Sequence, residues 1–181
     1  HDMFAFLMSE QREGRGPLGE ALFRGVIAVN SEVGDSALKF LRFWFRRMCG
    51  NHIIWGAEEI AEVRLVHVGK IRERMRDAEI AVRKYMDGPG SLDEAAFREM
   101  TVRIAASKDE VLDAVFGKLR GQITRKALDA SFEAVVEDQD GDPKTKWGLA
   151  QGITRHSQTL PYADERTSLD RAAGKLLAIA F

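Results

Sequence analysis

The order of hydrophobic periods along the chain predicts an α+β fold, a small antiparallel sheet from the N-terminal third packed against four to six helices. Three observations carry this. Between residues 22 and 70, apolar, β-branched and aromatic residues run together or alternate with polar ones. After Gly69 the apolar spacing changes to about 3.6 residues and stays there. Hydrophobic residues fill 45% of the 181 positions, enough for one buried core, so a single domain over 1–181 is expected, mainly strands in 22–70 and mainly helices in 71–181.

Leu22 to Val29 reads as the first strand, and the polar connection Asn30 to Ser36, with Gly34 inside it, as a turn. Ala37 to Met48 begins with strand-like alternation, but Phe40, Phe43, Trp44 and Met48 also fit a helical stripe. Strand is expected at its start and helix at its end. Cys49-Gly50-Asn51 reverses the chain. His52 to Trp55 and Ile60 to Val68 then read as two strands of a hairpin around Gly56-Ala57.

Ile71, Met75, Ala78, Val82 and Tyr85 form the stripe of a charged helix that Gly88-Pro89-Gly90 stops. Ser91 with Glu94 makes a capping box for a helix carried to about Ala106, and Ser107 with Glu110 makes another for Val111 to Leu119. Thr124 starts a helix through Phe132 and Val135, followed by the acidic loop EDQDGDP. Trp147 to about Leu160 reads as helix despite Gly148 and Gly152. A last helix starts at Ser168 or nearby and ends near Ala180.

The longest uncharged apolar runs fall far below the roughly 20 residues of a membrane span, so no membrane partner is expected. The start of the chain lacks a basic leader with a cleavage site, and Cys49 stands alone, which excludes an internal disulfide and points to the cytoplasm. His1 in place of an initiating methionine suggests that upstream sequence is missing.

Net charge is −1, but residues 38–84 hold eleven Lys and Arg against six acids. Within that segment Arg42, Trp44, Arg46 and Arg47, then Arg64, His67 and Lys70, combine cations that neutralise phosphate with an aromatic ring that stacks on bases, the chemistry of a single-stranded nucleic-acid surface. The competing reading places Phe40, Phe43, Trp44 and Trp55 in the core.

Other chemistry finds less support. The run Asp138-Gln139-Asp140-Gly141-Asp142 suggests a calcium loop, but the glycine and glutamate that an EF-hand needs at loop positions 6 and 12 are Pro143 and Leu149, so an acidic turn is expected. Cys49, His52, His67 and His156 offer zinc-ligand chemistry without a second cysteine, and no metal is expected. Neither glycine-rich phosphate loop occurs, no catalytic residue is assigned and no cofactor is expected.

Three motifs add a resemblance. Asn30-Ser31-Glu32-Val33-Gly34, then Cys49-Gly50-Asn51, then Arg64-Leu65-Val66-His67, with Trp147-Gly148-Leu149 later, resemble the phage/plasmid-like family catalogued as domain of unknown function 932. The resemblance runs from about Leu22 to the C-terminus, and Glu10 to Glu20 matches nothing in it. It implies an association with phages and plasmids and no established biochemical role.

Three functions follow for test: a nucleic-acid-associated protein of a mobile element, an oligomeric assembly protein using exposed sheet edges, and an enzyme. The enzyme would need Asn30, Ser31, Glu32, Cys49 and Asn51, with Asp35, Ser36 and His67, to converge on a polar pocket. The simpler role of Asn30 and Asp35 is to cap the backbone of their turn.

Overall fold

A computed structural model describes residues 2–31, 38–46, 51–53, 59–63, 71–88 and 98–181. The expected α+β class holds. Five strands come first: β1 (Asp2–Arg15), β2 (Ala21–Ser31), β3 (Leu38–Arg46), β4 (Asn51–Ile53) and β5 (Glu59–Val63). The helices follow: α1 (Ile71–Asp87), α2 (Lys108–Lys118), α3 (Arg125–Glu133), the one-turn α4 (Glu137–Asp140), α5 (Lys146–Ser157) and α6 (Ala163–Ala178).

Every described strand pairing is antiparallel. β1 pairs with β2 and β2 with β3, and β4 and β5 both pair with β3. β2 occupies one edge of β3, so β4, opposite Trp44 to Arg46, and β5, opposite Leu38 to Leu41, share the other edge end to end. This corrects the expected hairpin around Gly56-Ala57. The described part of each segment takes β3, and not the other segment, as its template.

β3 stays extended through Arg46, so the helix expected at its end does not form there. The ladder to β2 holds continuously from Lys39 to Leu22's partner Arg46 and overrides the helical spacing of its aromatics. β1 was not legible as a strand. It is joined to β2 by a tight turn in which the Gly16 N–H donates to the Glu20 carbonyl at 2.8 Å and Gly19 takes φ +82°, a left-handed value that glycine adopts without strain.

The helical elements obey their caps. Ser107 and Glu110 form a complete capping box on α2, and the hydroxyls of Thr124 and Thr145 accept from the backbone N–H groups of Ala127 and Gly148 to start α3 and α5. Ser91 lies outside the described residues. The helix expected to run to Ala106 stops at residue 100, because the Ile104 N–H donates to the Lys144 carbonyl at 2.8 Å and Arg103 bridges Thr145. The last helix starts at Ala163, earlier than Ser168, with Tyr162 as its N-cap residue and Pro161 outside it. Within EDQDGDP, Glu137 to Asp140 form a helical turn where a loop was expected.

The main core lies among α2, α3, α5 and α6, built on Leu112, Leu128, Leu149, Ile153 and Leu176. Leu22 of β2 joins it from the sheet. Gly148 and Gly152, which read as helix breakers, are contact points: a Cβ on Gly152 would lie 2.2 Å from the Ser131 carbonyl oxygen, and one on Gly148 2.2 Å from that of Asp142. α1 packs against β5 and β2, and β4 lies against α5 and α6.

Candidate functional site

The sheet meets the helices through charged groups. Arg46, at the end of β3, is 1% exposed. Its Nη2 lies 3.2 Å from Asp140 Oδ1 and donates to the Gln139 carbonyl at 2.6 Å. Asp140 is fully buried and accepts at Oδ2, from Arg155 Nη2 at 2.8 Å, Arg155 Nε at 3.0 Å and the Val136 N–H at 3.0 Å. One carboxylate therefore ties β3, α4 and α5 together. In a low-dielectric setting such a group needs cations and N–H donors around it: Asp140 has hydrogen-bond donors at Oδ2, while Oδ1 faces the Arg46 guanidinium as an ion pair without a hydrogen bond.

A second arginine performs a related task on β2. Arg24 is 3% exposed, donates through Nη1 to the Tyr85 carbonyl of α1, and holds its guanidinium 5.2 Å from the centre of the Tyr85 ring.

These contacts bear directly on the expected nucleic-acid surface. Arg46, expected to meet phosphate, points into the protein at Asp140. Arg42 and Trp44 stand in β3 opposite Val26 and Arg24. Arg47, Arg64, His67 and Lys70 lie outside the described residues. In the expected polar pocket, Asn30 and Ser31 pair with Met3 and Asp2 at the end of the β1–β2 ladder, and Asn51 pairs with Arg46. Glu32, Asp35, Ser36 and Cys49 lie outside the description. The acidic turn that failed as a calcium loop is the partner of Arg46 and Arg155. No local signal connects residues so far apart in sequence.

Three further features are chemically distinct. Ser157 Oγ lies 2.8 Å from the Thr154 carbonyl and 2.6 Å from Asp170 Oδ1, and a hydroxyl has one proton to donate. Donated to Asp170, that proton favours the ionised carboxylate. Burial between α5 and α6 pushes the Asp170 carboxyl up to about 7, against the lowering effects of Ser157 and Arg166. Lys146, 5% exposed, places Nζ between Glu99 Oε1 at 2.8 Å and the Ile179 carbonyl at 3.0 Å, beside a small cleft lined by Val102, Arg103, Ile104 and Phe181. α1 exposes Arg72, Arg74, Arg76, Arg83 and Lys84, interleaved with Glu73, Asp77, Glu79 and Asp87.

Among the described residues, an uninterrupted run of exposed large apolar side chains lies on β1. Phe6, Leu7 and Met8 follow one another and are 45%, 54% and 48% exposed. Strand alternation sends Phe6 and Met8 to one face and Leu7 to the other, so both faces are apolar and wet. Among the described strands β1 closes one end of the sheet, next to β2 alone.

No helix among the described residues is long and apolar enough to cross a membrane. In comparisons with known proteins, the family described as "Domain of unknown function (DUF932)" matches residues 8–166. No curated protein and no solved structure matches.

Proposed function

The chain belongs to the family of the domain of unknown function DUF932, and from that premise we propose that it works as an association module, joining protein chains through the β1 side of its sheet. The observation that carries this reading is the exposed run Phe6-Leu7-Met8 at the end of the described sheet. Contiguous apolar surface on a folded chain favours burial against a partner, and a sheet edge adds the pairing capacity of its backbone. The setting proposed for the assembly is a phage or plasmid, as the resemblance implies, and the cytoplasm, to which the lone Cys49 points.

Light scattering across a concentration series tests it. The mass should rise above that of one chain, and Leu7→Lys, which sets a charge in the exposed run, should return it to one chain. A native chain that scatters as a monomer throughout removes the reading.

Nucleic-acid association is the second reading, favoured by the five exposed cations of α1 within the basic 38–84 segment. Arg42, Trp44, Arg47, Arg64, His67 and Lys70 remain its proposed contacts. Fluorescence anisotropy with labelled single-stranded DNA at low salt should then show binding that weakens steeply as salt rises, since each neutralised phosphate releases counterions. No binding at about 100 μM protein would discard it, because that concentration spans ordinary non-specific affinities.

A further inference from the structure

We infer that the cleft beside Lys146 binds a short aliphatic monocarboxylate, at a site independent of the association reading above. The first argument is a misplaced charge. Lysine is almost never buried without a partner, and a cation at the start of a helix faces the positive end of its dipole. Lys146 is 5% exposed and is the first residue of α5. The Ile179 carbonyl and Glu99 Oε1 hold its ammonium at 3.0 and 2.8 Å, but Glu99 is itself 64% exposed, so water competes for that carboxylate.

Donor capacity decides the sign of the ligand. The cleft holds about 110 Å³ and is lined by Glu99, Val102, Arg103, Ile104, Lys146 and Phe181, so two cations face one acid. An ammonium has three N–H donors and a guanidinium five. Lys146 engages Glu99 and Ile179, and Arg103 engages through Nε, at 2.6 Å, Asp142, which is not part of the lining. The carboxylate of the lining already has its cation, and the remaining hydrogen-bonding capacity is that of donors, which a carboxylate satisfies. The frame is preformed: the Ile104 N–H donates to the Lys144 carbonyl at 2.8 Å and Arg103 bridges Thr145, which ties the Arg103 side of the cleft to the segment leading into Lys146.

Walls and size decide the rest. Val102, Ile104 and Phe181 are apolar, and Val102 stays 64% exposed while lining the cleft. An apolar cavity of about 150 Å³ accepts benzene, so this cleft suits about four to six non-hydrogen atoms. A carboxylate on a short hydrocarbon chain fills it, with its oxygens at Lys146 and Arg103 and its chain on Val102 and Ile104. Inorganic phosphate would satisfy the donors and leave the apolar walls wet.

Butyrate is the probe, on the full chain, with ionic strength held constant by chloride. Saturation-transfer NMR should show its methyl and methylene protons receiving magnetisation, with a dissociation constant in the millimolar range that so few contacts allow. Butanol lacks the charge and acetate lacks two CH₂ groups, and each should bind about tenfold more weakly. Val102→Asp, at an exposed position, sets a like charge on the wall and should weaken butyrate by about tenfold or more. Arg103→Gln should weaken it several-fold, and Lys146→Met should abolish it. Because Lys146→Met also unties α5 from the end of α6, Val102→Asp and Arg103→Gln decide if that variant fails to fold by circular dichroism. No transfer to butyrate at about 20 mM, above the millimolar range, overturns the site. Butanol binding equal to that of butyrate also overturns it, since only an apolar crevice is then left. So does displacement of butyrate by equimolar phosphate, the mark of a plain anion site. Butyrate binding unaltered by both Val102→Asp and Arg103→Gln overturns the location.

Discussion

In the helical body, Leu128, Leu149, Ile153 and Leu176 have no exposed surface, and the packing is close enough that glycine is required where α5 passes Ser131. In the sheet, β2 is buried from Leu22 to Ile27, but that buried stretch includes Arg24, its neighbour β3 ends on Arg46, and β1 exposes three consecutive large apolar side chains. The helices hide their apolar stripes from one another, so their stability comes from removing hydrocarbon from water. The sheet relies on a charged seam for part of its attachment, and the end strand of its described part carries exposed apolar residues. Helix packing of this sort closes on itself, while a sheet edge always offers one more row of backbone groups.

The seam gives the sharpest way to break this contrast. Asp140→Ala leaves the guanidinium of Arg46 buried without its carboxylate and should cost about 3–5 kcal/mol, the usual penalty for removing one partner of a buried pair. Urea unfolding followed separately by intrinsic tryptophan fluorescence and by far-UV circular dichroism should show the loss. Arg155→Ala, on a side chain that is 27% exposed, should cost less. Equal stability of Asp140→Ala and the parent would mean that the seam contributes nothing.

Asp170 sharpens the description of the helical side. Its carboxyl is raised to about 7 in the fold from about 3.9 in an unfolded chain, so the folded state binds the proton more tightly. That contribution is fully present below about pH 4 and is lost progressively as pH rises to about 7. Asp170→Asn, neutral at every pH, should remove this slope and be more stable than the parent at pH 8, by at most about 4 kcal/mol. Thermal unfolding at pH 4, 6 and 8 measures it, and parallel curves for the two proteins would exclude a protonated Asp170.

Gly152→Ala probes the tight crossing of α3 and α5. The new Cβ meets the Ser131 carbonyl and Val135 Cγ2, and relief by backbone shift should cost about 1–3 kcal/mol in denaturant titration, despite alanine's better helix propensity. A stabilised variant would show that the crossing is looser than it looks. The smallest effect belongs to the surface of α1. Arg83 and Glu79 lie 2.9 Å apart with 72% and 59% of their side chains exposed, and Glu79→Gln should change stability by less than about 0.5 kcal/mol.

How much of this was readable beforehand differs between the two regions. The capping boxes and threonine caps of the helices lie within a few residues of the groups they satisfy, so Ser107, Glu110 and Thr124 could be assigned from spacing. β2 and the start of β3 were legible from their β-branched and aromatic density. β1 was not, because its charged second half, Glu10 to Arg15, resembles a surface loop until β2 is present to pair with it. The same limit applied to Arg46, whose sequence neighbours Arg42 and Arg47 gave it the look of a phosphate ligand.

Local chemistry along the chain was enough for the α+β class, the helix starts and the family motifs, since propensity, caps and periodicity act over one or two turns. Folding in three dimensions was needed to bring Arg46 to Asp140, to place β4 and β5 on one edge of β3, and to turn two apparent helix breakers into contact points. Each of those depends on groups far apart in sequence meeting in a space where water is excluded, and there an ion pair, a strand edge or a missing Cβ acquires an energy that it does not have in the isolated chain.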